Sequence, residues 1–72
     1  MKDFYNISPI EHAQYLWHHG TFVGSREINH QKVSLYSVQQ RFFEIHYNTQ
    51  HFIKTVIEVD METIEKYYYK GD

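Results

Sequence analysis

From Thr21 to Asp60 apolar and polar side chains alternate with a period of two, and no break in this stretch is long enough to hold a helix or a crossover. Successive side chains of a strand point to opposite faces, so the pattern reads as strands. Strands joined by short breaks can only run antiparallel, which makes the stretch a meander. The segments are "TFVGSREI", "KVSLYSVQ", "RFFEIHY" and "HFIKTVIEV", rich in β-branched and aromatic residues. Asn29 and His30 suit the first turn. Gly24 interrupts the first strand, and its register stays open: Glu27 opposite Lys32 and Phe22 opposite Val38 demand different pairings.

Both flanks read as helices. In "ISPIEHAQYLWHHG", Ser8 is a cap, Pro9 falls at the first helical position, and Glu11 completes a capping box. Gly20 is expected to end this helix in a left-handed conformation. At 100° per residue, Ile10, Ala13, Leu16 and Trp17 share one stripe, with Trp17 as a core anchor, while Glu11, Tyr15 and His18 point away. Asp60 caps a second helix, "METIEKYYYK", with Met61, Ile64, Tyr67 and Tyr68 on one stripe, Tyr69 pointing out and Gly71 as a stop. The expected fold is α+β and two-layer: an N-terminal helix, an antiparallel β-meander of three to four strands, and a C-terminal helix, in one domain over residues 1–72.

Pairing registers follow from matching the apolar positions. With Asn48–Gln50 as the last loop, Ile45 opposes Ile53, Phe43 opposes Thr55, Glu44 opposes Lys54 and Phe42 opposes Val56. In the preceding hairpin Leu35 opposes Ile45, Val33 opposes Tyr47 and Val38 opposes Phe42. A two-residue turn at Asn48 and Thr49 would set His46 against His51, but it moves the core side chains to the wrong face. His46 and His51 therefore point apart and form no site. One face then carries Val33, Leu35, Phe43, Ile45, Tyr47, Ile53, Ile57 and Val59, and both helices are expected against it. The other face carries Tyr36, Val38, Phe42, Phe52 and Val56 among polar neighbours. That is too apolar for a solvated face. A helix, a second copy or another molecule must cover it.

The chain has 72 residues, so its core is thin. It has no cysteine, which removes disulfides, thiolate zinc sites and thiol chemistry. At 42% hydrophobic and 18% aromatic it is no disordered segment. The net charge of −2 is well mixed, without the basic stripe of a nucleic-acid binder. No apolar run is long enough to span a membrane and no signal peptide opens the chain, so Met1 is read as a natural start and the protein as cytoplasmic.

Six histidines invite a metal, yet none lies at the spacing of a helical or strand ligand pair: His12 and His19 are two turns apart, and His18 and His19 diverge. No metal and no cofactor is expected. His18 and His19 suit a helix C-terminus. Ser25, Ser34 and Ser37 sit in no nucleophile elbow. The pairs Glu58 with Asp60 and Glu62 with Glu65 read as cap and solvated face.

The run "GTFVGSREI…KVSLYS…FFEIHYN…IKTVIEVD…IEKYY" resembles a group of short uncharacterised bacterial proteins of helix–β-meander–helix form, over roughly the last three-quarters of the chain. The resemblance implies that topology and a bacterial source. It carries no activity and no site residues.

The leading expectation is a small non-enzymatic protein-interaction module. Its partner is itself, as a homodimer through the second sheet face or an edge strand, or another protein, and the residues are Tyr36, Val38, Phe42, Phe52 and Val56. The alternative is a small-ligand-binding or enzymatic domain with a pocket between the first helix and the sheet, near Trp17, Tyr47 and His46.

Overall fold

The computed structural model describes residues 8–68. The chain order is α1 (Pro9–His19), β1 (Thr21–Ile28), β2 (Gln31–Val38), β3 (Arg41–Tyr47), β4 (Ile53–Val59) and α2 (Met61–Tyr67). The four strands form one antiparallel sheet in the order β1-β2-β3-β4. The fold is thus the expected α+β meander. Lys70, Gly71 and Tyr69 lie outside the described residues.

The ends of α1 follow the sequence signals with one change. The Ser8 hydroxyl accepts from the Glu11 amide at 3.2 Å, and the Glu11 carboxylate accepts from the Ser8 amide at 3.1 Å. Gly20, however, is extended rather than left-handed, at φ −96°. Its role is close approach. A Cβ at that position would stand 2.7 Å from the Leu16 carbonyl oxygen and 3.1 Å from that of Ser37. Glycine lets the helix turn directly into β1 against the end of β2.

The helix is also rotated about its axis relative to the expected stripe. His12, Ala13 and Leu16 are buried, and Tyr15 packs against the core. Ile10 and Trp17 are largely exposed. The His12 ring stands edge-on to Phe43 with centroids 4.9 Å apart, and an aromatic contact of this kind lets an imidazole occupy a core position.

Two hairpin turns set the registers. Asn29 and His30 have φ of 51° and 67°, and Gln39 and Gln40 have φ of 52° and 65°. Both loops are two residues long with both residues left-handed, the turn that matches strand twist. Glutamine is not a usual resident of that conformation, and the loop is one residue shorter than the expected registers require. The pairs are Tyr36 with Phe43, Ser34 with Ile45 and Leu35 with Glu44. Leu35 does not oppose Ile45, nor Val33 Tyr47, nor Val38 Phe42. The one-residue shift sends Val33 and Leu35 to the other face.

The β3–β4 loop is longer than expected. The Asn48 side-chain oxygen accepts from the amides of Gln50 at 2.9 Å and Phe52 at 3.0 Å, and His51 is left-handed at φ 69°. Tyr47 then pairs with Ile53, while His46 pairs with Thr55, so Lys54 is an extra residue in β4. This bulge inverts the parity within the strand. Before it, Ile53 shares a face with Tyr47, as expected. After it, Val56 opposes Ile45, Ile57 opposes Glu44 and Val59 opposes Phe42. The expected pairs Ile45 with Ile53, Phe43 with Thr55, Glu44 with Lys54 and Phe42 with Val56 do not form. A second bulge at Val23 resolves the conflict in β1: Glu27 pairs with Lys32, and Phe22 pairs with Tyr36.

The two helices divide between the faces. Helix α1 and the sheet make the two layers around Ala13, Leu16, Val38, Phe43 and Ile45, with Tyr36, Tyr47, Ile53 and Val56 at the margin. The seven-residue α2 lies against the opposite face. Asp60 caps it through the Thr63 amide at 3.0 Å, and that bond holds the Asp60 carboxyl below its usual range. Val33, Leu35 and Ile64 are fully buried on this side.

Candidate functional site

The densest polar arrangement sits under α2. Glu44 on β3 is 1% exposed, and each of its carboxylate oxygens takes two bonds. The Arg26 Nε donates to Oε2 at 3.0 Å and its Nη2 to Oε1 at 3.3 Å. The Tyr68 hydroxyl donates to Oε2 at 2.8 Å, and the His46 Nε2 lies 3.1 Å from Oε1. The Arg26 guanidinium also stacks 4.0 Å from the centre of the Tyr67 ring, a cation–π contact that helps seat the helix.

Burial pushes the Glu44 carboxyl up, but the hydrogen bonds from Arg26 and Tyr68, the Arg26 charge and the His46 bond outweigh it, and the group sits below its usual range. Burial and the bond to the Glu44 anion push the Tyr68 hydroxyl up to about 12. A carboxylate with both oxygens doubly bonded and its proton held off has no lone pair or proton to offer a substrate. The cluster therefore fastens α2 to the sheet; its geometry is that of a staple.

The expected charge partner of Glu44 is Lys54, and the structure places Arg26 there instead. Arg26 belongs to β1, two strands from β3, and reaches across Val33 and Leu35. A signal existed: Arg26 pairs with Val33 and Glu44 with Leu35, which puts both charges on one face once β2 is placed.

The five residues expected to form a partner face are not together. Tyr36, Val38 and Val56 belong to the α1 side, Val38 buried and the other two half-buried. Phe42 is half-buried on the α2 side opposite Val59. Phe52 is in the β3–β4 loop and exposed. Of the alternative pocket residues, Trp17 and Tyr47 are brought near each other: burial pushes the Tyr47 hydroxyl up, while the side chains of Ser34 and Trp17 act on it to lower it. His46 is on the opposite face with Glu44, so the three do not line one pocket. His51 stays in its loop.

Large apolar side chains remain exposed elsewhere. Phe22 and Val23 on β1 are 56% and 40% exposed. The Phe22 ring stands edge-on to Tyr36 with centroids 5.6 Å apart. Among the described residues no group of three His, Asp or Glu is placed to hold a metal ion. No described helix is long and apolar enough to cross a membrane. The chain matches no protein-family model, no curated protein and no solved structure.

Proposed function

We propose that the protein is a small non-enzymatic interaction module that self-associates through β1. The observation that carries this reading is the edge itself. β1 ends the sheet, so one row of its amides and carbonyls faces outward, and Phe22 and Val23 are exposed beside it. Edge strands in monomers are usually shielded by proline, by lysine or by a covering element, because an open edge templates pairing. β1 has no proline and no lysine, and the bulge at Val23 interrupts only its first part. The thin core of so short a chain points the same way, since small domains gain stability from a partner subunit.

A helix on each sheet face removes the case for association through Tyr36, Val38, Phe42, Phe52 and Val56 as one surface. The edge takes its place.

Sedimentation equilibrium across a wide concentration range tests this. The native chain is expected to sediment as a dimer, and the pair Phe22→Lys with Val23→Lys is expected to give a folded monomer. A native chain that remains a monomer at the highest concentration removes the proposal.

A further inference from the structure

Resting on that reading, we infer that the C-terminal end of α2 forms one wall of the β1 interface, with Tyr67 packing against the edge strand of a second copy. β1 is eight residues long, so its bare edge is about 27 Å long and about 10 Å deep. That is a few hundred Å², against the roughly 800 Å² per partner of a stable interface. Side chains flanking the edge on both faces must supply the difference.

On the α1 side Phe22 does so, opposite Tyr36 and 56% exposed. On the α2 side the end of the helix does so. Burial alternates along β1: Gly24 and Arg26 are half-buried, while Ser25 and Glu27 are exposed. The cover is α2. A Cβ on Gly24 would stand 3.4 Å from the Tyr68 ring, and the Arg26 guanidinium lies 4.0 Å from the centre of the Tyr67 ring. The helix follows β4, so it starts at the opposite edge of the sheet and ends over β1.

Tyr68 turns inward to Glu44, but Tyr67 keeps 39% of its surface exposed. Arg26 and the Lys66 ammonium, 5.4 Å from the ring centre, hold that ring in place. Tyrosine is enriched at interfaces, and an oriented ring beside an open edge suits one. A strand added to β1 would run about 4.8 Å outside it, within reach of the ring. Joined antiparallel, two β1 strands are related by a two-fold axis normal to the sheet, whatever their register. Both copies of α2 then lie on one face of the joined sheet, with their C-terminal ends directed at the seam. Each Tyr67 meets the partner's edge from its own side.

Met61 is the internal control: it is 49% exposed at the other end of the same helix. In sedimentation equilibrium Tyr67→Ala is expected to raise the dimer dissociation constant at least about tenfold, as loss of an aromatic anchor does. Tyr67→Phe, which keeps the ring, and Met61→Ala should each stay within about threefold of the native value. Oxidative footprinting of the native chain needs no variant. On dilution from dimer to monomer, Tyr67 should become at least about threefold more reactive as water reaches it, and Met61 should not change.

A dimer whose Tyr67 is as reactive as in the monomer, or in which a folded Tyr67→Ala chain dissociates no more readily than Met61→Ala, overturns this inference and leaves self-association through β1 standing. A native chain that is monomeric throughout overturns both.

Discussion

The Tyr68 hydroxyl donates a 2.8 Å hydrogen bond to Glu44 Oε2, tying the last turn of the chain's second helix to the middle of an inner strand. Together with Arg26 and His46 it completes the shell around a carboxylate that is otherwise out of water. The staple and the edge strand meet in Arg26, which belongs to both.

Removing one member of that shell should cost in proportion to the charge left bare. Arg26→Ala strands a buried anion and is expected to destabilise the fold by about 3 kcal/mol. For a domain of this size that corresponds to a melting temperature lower by roughly 12–24 °C. Tyr68→Phe deletes one bond of four and should cost about 1.5 kcal/mol. Urea unfolding of both variants checks the order. As a contrast, Glu58→Gln breaks the exposed pair with Arg41, whose Nη2 is 2.8 Å from Glu58 Oε1, and should cost less than about 1 kcal/mol.

Acid and alkali should attack the staple from opposite sides. Glu44 is held below its ordinary value, so its contribution is full above the unfolded carboxyl pKa and is lost as pH falls through the lower folded value. Tyr68 is raised to about 12 from its ordinary value of 10.0, so the folded state keeps the proton longer. Stability should therefore fall as pH rises between those two values. In Tyr68→Phe that alkaline loss should shrink. Chemical unfolding at a series of pH values reads both limbs.

His12 supplies a milder slope near neutrality. Burial lowers its pKa below 6.5, the nearby Arg41 lowers it further, and Glu58 opposes the shift. The unfolded chain then binds a proton that the folded chain does not, so stability declines as pH drops below 6.5. His12→Gln should flatten the profile just below pH 6.5 whatever it does to stability at pH 8. An unchanged slope would exclude His12 as its source.

The glycines should behave differently. Gly20→Ala places a methyl 2.7 Å from a backbone oxygen that cannot swing away, and is expected to cost about 1–3 kcal/mol. Gly24→Ala meets only the Tyr68 ring, at 3.4 Å, and should change stability by less than about 1 kcal/mol. Thermal melts of the two single variants suffice.

Element types and most boundaries were legible in the residues because their signals are local. Ser8, Pro9 and Glu11 announce α1, Asp60 announces α2, and Asn29 with His30 announces a turn. Facing was less legible, because it depends on counting through turns and bulges. Gln39 and Gln40 form a two-residue left-handed turn without the usual Asn-Gly chemistry, and Lys54 is a surplus residue that no composition marks. Each displaces the count by one and reassigns Leu35 or Val56. The expected partner surface dissolved for that reason alone, since a patch defined by parity cannot survive an uncounted residue. The Glu44 shell was hidden for a related reason: His46 is two residues along the same strand, but Arg26 and Tyr68 come from β1 and from the end of α2, far from it in sequence.

Lys54 also divides β4 into two reading frames. On the loop side the frame is set by Asn48; on the helix side it is set by Asp60. Deleting that single residue would fuse the frames without moving either: Ile53 stays opposite Tyr47, Thr55 opposite His46 and Val56 opposite Ile45 under α1. Lengthening the loop by one would ask only for a second surplus. The hairpin should therefore accept the loss of that one lysine far more readily than the loss of a paired neighbour such as Thr55, which would shift every later side chain to the other face.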